Sequence, residues 1–308
     1  MMKVETVAGL TLTLIFGVIT GALGVILYLS GVGGLYGVML ALVFTGVILF
    51  LQWYFGPTVV KFMSGAKPIT REQAPQIFEM VERLSKKAGL PNAPRLFIVN
   101  SPASNAFAFG RTRNDSNLAL HAGIIRDLSP SELESVIAHE LGHIYHRDFI
   151  VMTIASIIPV LLYYMAIVVI SSFFGGRSQD DRPNFVAVLI GGLLARFLGQ
   201  LLVLWLSRTR EYHADAFSAK LTSGKDLAKS LVKITYGLDV KRGNESLSCL
   251  YIGDNTGENA QQLASYLSMD AKGIEEGIRN EKRKGFLEIF MTHPLTGKRL
   301  LALKQQAK

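Results

Sequence analysis

Cysteine is almost absent. Cys249 is the only one, so no disulfide can form within the chain, which fits a reducing compartment. Charge is scarce too: 18% of the 308 residues are Asp, Glu, Lys or Arg and 49% are hydrophobic, whereas ordinary soluble domains carry about a quarter charged residues. That balance argues against a wholly soluble protein and places part of the chain in lipid. Acidic residues are the scarcer sign, 24 against 32 basic ones, for a net charge of +8. The basic residues are not interleaved with aromatics, and there is no internal repeat or low-complexity tract. The excess is therefore read as membrane topology and attraction to anionic headgroups, and no nucleic-acid partner is expected.

What the chain does have is long apolar runs. Residues 8–29 and 35–55 are uncharged stretches of bilayer-crossing length joined by a small turn, and together they predict a helical hairpin. A second pair, residues 149–174 and 185–206, is separated by a polar, Gly-rich segment. Lys61, Lys67, Arg71, Arg147, Arg208 and Arg210 flank these runs and predict that those flanks are cytoplasmic. The expected organisation is an N-terminal hairpin over 1–60, a protease part over 61–148, a second hairpin over 149–206 and a second protease part over 207–308. The lipid bilayer is then a partner of the chain.

One stretch prescribes a chemistry. In His139-Glu140-Leu141-Gly142-His143 the two histidines are four residues apart, so a helix sets both imidazoles on one face, where they can hold one metal ion. Glu140 projects beside that ion and can take a proton from an activated water. Ser129, Pro130 and Glu132 form a helix start upstream with the pattern of a capping box. Leu133, Val136, Ile137 and Leu141 give that helix a buried side.

A catalytic zinc needs a third protein ligand. His146 is turned away by helix geometry, and the longer three-histidine motif is excluded because position 146 is His and position 149 is Phe. Glu211 is the better candidate, with Asp215 four residues on and able to accept the free ring N–H of a metal-bound histidine. On residue type alone, Glu211 is equally an exposed acid pairing with neighbouring arginines.

HELGH followed by Arg210-Glu211-Tyr212-His213-Ala214-Asp215 after a long hydrophobic insertion resembles the M48 peptidases, specifically the HtpX-like membrane metalloproteases. The segment from Asn105 to Gly110, His146-Arg147-Asp148, and Thr292-His293-Pro294 with Arg299 fit the same resemblance, which covers most of the chain. Residues 243–259 match nothing in it. The resemblance implies one Zn2+ per chain on His139, His143 and Glu211, with Glu140 as the catalytic acid/base. It also implies a gluzincin-like peptidase domain containing a small sheet within an α+β, predominantly helical membrane protein with about four transmembrane helices.

Short strands are expected at 95–99, 106–109 and 117–121 after an amphipathic helix over 71–88. By the resemblance, Asn105, Ala106, Phe107, Ala108 and Phe109 supply an edge for an extended substrate, although Phe107 and Phe109 also read as core aromatics. His293 is a candidate for stabilising or orienting the tetrahedral intermediate, or is a structural hydrogen-bonder. The reading is a membrane-anchored zinc endopeptidase of the cell (plasma or inner) membrane. Its active site faces the cytoplasm, and the resemblance implies protein or peptide substrates, among them misfolded membrane proteins. The rivals are a catalytically silent zinc scaffold that binds a membrane partner, and a prenyl-protein processing protease.

Overall fold

The computed structural model describes residues 34–174, 185–236 and 287–306. The expected span at 8–29, the stretch 243–259 and Cys249 lie outside the described residues. The described residues fall into two compact units: those of Pro57–Phe149 and from Ser207 onward form one, and those from Gly34 to Gly56 with Ile150–Leu206 form the other.

The first unit is built on a four-stranded sheet. Its strands are β1 (Lys67–Pro68), β2 (Arg95–Val99), β3 (Ala106–Gly110) and β4 (Ser116–His121), in the order β1-β2-β4-β3. β2 runs parallel to β4, while β1 and β3 are antiparallel to their neighbours, so β3 lies at an edge. Alternation along β3 sends Ala106 and Ala108 to one face and Phe107 and Phe109 to the other. The aromatic face packs with Phe97, Val99 and Ala119. The alanine face joins a core that also holds Leu118 and Leu120 of the sheet with Ile137, Leu141 and Ile144.

Helix α1 (Gly34–Ser64) is followed by α2 (Pro75–Lys87), which buries Val81 and Leu84 in that core. Gly89, at φ +68°, takes the left-handed backbone just past the end of α2. After the short α3 (Ala122–Asp127), α4 (Pro130–Tyr145) carries the HELGH motif. Its start is fixed reciprocally. The Ser129 hydroxyl accepts from the Glu132 N–H, and the Glu132 carboxylate accepts from the Ser129 N–H at 2.8 Å. Ser129, Pro130 and Glu132 thus do what their order in the sequence predicts.

Among the described residues three helical segments are long and apolar enough to cross a membrane: Val43–Ser64, Asp148–Ile170 and Val186–Leu221. The run beginning at Phe149 is broken into α5 (Asp148–Ala155) and α6 (Ile158–Phe174). Pro159, just inside α6, has no N–H to continue the α5 ladder, and Ser156 turns its hydroxyl back to the Thr153 carbonyl at 2.6 Å. In the second unit, a Cβ at Gly192 would lie 2.8 Å from Tyr163 and one at Gly199 only 2.6 Å from the Pro159 Cα. These two glycines let α6 and α7 (Phe185–Leu221) approach closely. Phe50, Leu51, Leu194, Leu198 and Trp205 stay exposed, the pattern of helix faces that meet lipid.

The fourth apolar run and the segment bearing Glu211 are one helix rather than two. At 1.5 Å per residue, α7 is about 55 Å long, well beyond a hydrocarbon core of about 30 Å, so its charged end from Arg208 continues past the apolar stretch. It is followed by α8 (Gly224–Tyr236) and, near the C-terminus, by a 3₁₀ turn (Leu287–Phe290) and α9 (Thr296–Gln306).

Candidate metal centre

Two helices bring the ligand candidates together. Gly142 lies at their contact, where a Cβ would come 3.2 Å from the Ala214 Cα, tighter than side chains ordinarily pack. With glycine in place, Glu211 lies over the histidine pair. The two Nε2 atoms are 3.2 Å apart. Glu211 oxygens lie 3.7 Å from His139 Nε2 and 3.5 Å from His143 Nε2. All three ligand atoms fall within 4.8 Å of one another.

These separations can be tested against a metal. For zinc bonded to nitrogen and oxygen at about 2.0–2.2 Å, tetrahedral geometry sets neighbouring donors roughly 3.3–3.5 Å apart. The two nitrogens already stand at about that spacing, and one Glu211 oxygen lies near each of them, so the carboxylate would close on a shared ion by a small rotation. The outer ring nitrogens point the same way. His139 Nδ1 lies 3.0 Å from Asp215 Oδ1 and His143 Nδ1 lies 2.6 Å from Asp148 Oδ2, so each ring has a carboxylate at its Nδ1. That leaves the two Nε2 atoms facing Glu211, the arrangement in which a metal ion takes both rings through Nε2.

The surroundings hold the acids ionised. Burial on its own would raise Glu211, but the charges of His293 and Arg299 outweigh it and keep the carboxyl well below the ordinary range. Asp215 is likewise buried, yet Arg299 holds it low. Burial pushes His139 below the ordinary histidine range, with Asp215 opposing only in part, which favours the neutral form a metal ligand requires.

Each motif histidine is backed by an aspartate and an arginine. Behind His139, Asp215 takes two hydrogen bonds from Arg299, at 2.8 and 2.6 Å. Behind His143, Asp148 pairs with Arg210, whose guanidinium also donates to the His146 carbonyl at 3.0 Å. Arg147 adopts φ +59°, a left-handed turn that brings Asp148 back to the ring five residues before it. Sequence reasoning places Asp148, Arg210 and Arg299 within the resemblance, and Arg210 among the topology signals, but gives them no part in the site. Their signal, an acid just past the motif and arginines near acids, is too common to single out.

The remaining candidates are placed as follows. His293 Nδ1 lies 2.9 Å from Glu211, so it touches a ligand candidate rather than standing apart. The His146 ring packs with His213 and Phe217, away from the ligand set. Glu140 is 2% exposed, and its Oε2 accepts the backbone N–H of Ala108 at 2.9 Å. The Asn105 carbonyl accepts from the His121 N–H at 3.0 Å, tying the start of β3 to β4.

Comparison with known proteins agrees with this architecture. The family model described as Peptidase family M48 matches residues 71–307. A protease HtpX homolog of Methanothermobacter thermautotrophicus is 39% identical over 230 residues, 74% of this chain and 84% of that protein. One from Pyrococcus furiosus is 33% identical over 301 residues, covering 96% and 94%. Among solved structures, S. mikatae Ste24p superposes with a TM-score of 0.57 at 21% identity, covering 97% of this chain and 65% of that one. That likeness bears on the fold alone.

Proposed function

The chain belongs to peptidase family M48 and is a membrane metalloprotease, and on that premise we propose that it is a zinc-dependent endopeptidase acting on membrane proteins at the cytoplasmic face. The observation that carries the reading is the convergence of His139, His143 and Glu211 beside Glu140. These three residues would hold the ion, one per chain. A zinc ion there would supply Lewis acidity toward a peptide carbonyl and would acidify a water. Glu140 is placed to take a proton from the attacking water and to pass it to the departing amine. Asp215 and Asp148 hold the histidine tautomers, and His293 orients Glu211. Quality control of misfolded membrane proteins, the role implied by the family resemblance, fits an enzyme whose substrates share its bilayer.

A silent scaffold would gain nothing from a buried carboxylate beside the ligand set, and a purely structural site closes its fourth position with a protein ligand. The test is peptide cleavage by purified protein in detergent. A chelator is expected to abolish cleavage, and stoichiometric zinc to restore it; cleavage that persists in zinc-free protein would rule out the mechanism.

Orientation in the plasma or inner membrane is proposed from the basic residues flanking the apolar runs. Single cysteines replacing Lys86 and Gln305 in a Cys249→Ser background should resist an impermeant maleimide in intact cells and label after permeabilisation. Labelling of either from outside would reverse the assigned face.

A further inference from the structure

We propose that the outward-facing N–H of Ala108 serves as a positioning donor for Glu140 and is not available to the substrate. The inference rests on the peptidase reading and concerns how the β3 edge divides its work. In an antiparallel pair, the backbone groups of alternate residues point to the neighbouring strand and those between them point away. The Asn105 carbonyl accepts from His121 and the Phe109 carbonyl from the Asn117 side chain, so the odd residues of β3 face β4. The backbone groups of Ala106 and Ala108 therefore face off the sheet. A substrate strand added to this edge would take them in turn. Ala108 already donates to Glu140 Oε2 at 2.9 Å.

That bond has a clear physical use. Glu140 is buried, 2% exposed, and a buried carboxylate needs hydrogen-bond donors to fix its direction. A strand amide is a rigid donor, so it orients the base without the entropy loss of a side chain. One oxygen of Glu140 is then committed to β3, and proton transfer passes through the other. The edge recognises substrate through Ala106 and the Ala108 carbonyl, one donor fewer than a free edge would offer, which lowers main-chain affinity in favour of catalysis.

Replacing Ala108 by lactic acid during in vitro translation exchanges this N–H for an ester oxygen and also weakens the Phe107 carbonyl as an acceptor toward β4, an effect that Ala108→Pro does not share. The expected result is a kcat lower by roughly 10- to 100-fold, the worth of a hydrogen bond to a charged group, with KM within twofold and zinc content unchanged. A rise in KM at constant kcat, or unchanged kinetics, would overturn the proposal. Ala108→Pro removes the same N–H without breaking a bond to β4 and should split the constants the same way. The hydrogen bond can also be read without turnover. In metal-free protein labelled with 15N-alanine, the Ala108 amide resonance, assigned by its loss in Ala108→Ser, should move upfield in Glu140→Ala. An unmoved resonance overturns the proposal, while a moved one in a chain whose zinc-loaded, unsubstituted form cleaves no peptide would indict the peptidase reading instead.

Discussion

Glu140→Gln should retain one zinc per chain and lose hydrolysis, with kcat falling by about 10² to 10⁴. The amide has the shape of the carboxylate, and its oxygen can still accept the Ala108 N–H, so the site geometry survives. What disappears is a basic lone pair able to take a proton from water. None of the three converging metal-ligand candidates is changed, which is why metal content and activity should separate. Elemental analysis of purified protein together with steady-state peptide cleavage checks both halves. Near-normal turnover by the zinc-replete variant would remove Glu140 from the mechanism; loss of zinc along with activity would mean that its carboxylate helps to hold the metal.

The same residues show what the sequence could and could not reveal. The α4 helix was legible because its cues are local: a capping pair three residues apart, an apolar stripe, and histidines one turn apart. Strands β2 to β4 were legible from alternation and flanking turns, to within a residue or so at their ends. β1 was not, since the two residues Lys67 and Pro68 carry no period and pair only because β2 lies beside them. Nor was the length of α1, which runs through Pro57 to Ser64 although the apolar run was read as ending at 55. A proline inside an apolar helix is tolerated when neighbours or side chains satisfy the freed carbonyl.

At the site, helical spacing puts Glu211 and Asp215 on one face but leaves an exposed acid as an equal reading, and it is the family resemblance that favours Glu211. Asp148 escaped for a conformational reason. It reaches His143 through a left-handed turn at Arg147, a non-glycine residue that nothing in the local sequence marks for that conformation. The Ala108 contact is invisible in principle, because every residue but proline carries the same N–H and only tertiary packing decides where it points.

Arg299→Met should be the most destabilising single change at the site. The guanidinium is 8% exposed, binds Asp215 through two hydrogen bonds and lies 3.1 Å from Glu211. Asp215 is 1% exposed and Glu211 5%, so methionine would fill the space while leaving buried Asp215 without its cation and Glu211 with His293 in place of two cationic neighbours. Breaking a buried pair from one side costs about 3–5 kcal/mol, a large part of a total stability that is commonly 5–15 kcal/mol. A loss of that size in a domain of about 200 residues lowers the melting temperature by roughly 6–20 °C. Thermal unfolding of metal-free protein in detergent measures it. The cause can be separated from lost packing by adding Asp215→Asn, which removes the stranded charge while leaving a carbonyl to accept the His139 N–H. The double variant should recover a substantial part of the lost stability. An unchanged melting temperature in Arg299→Met, or a double variant less stable than the single one, would show that Arg299 does not hold these acids in place.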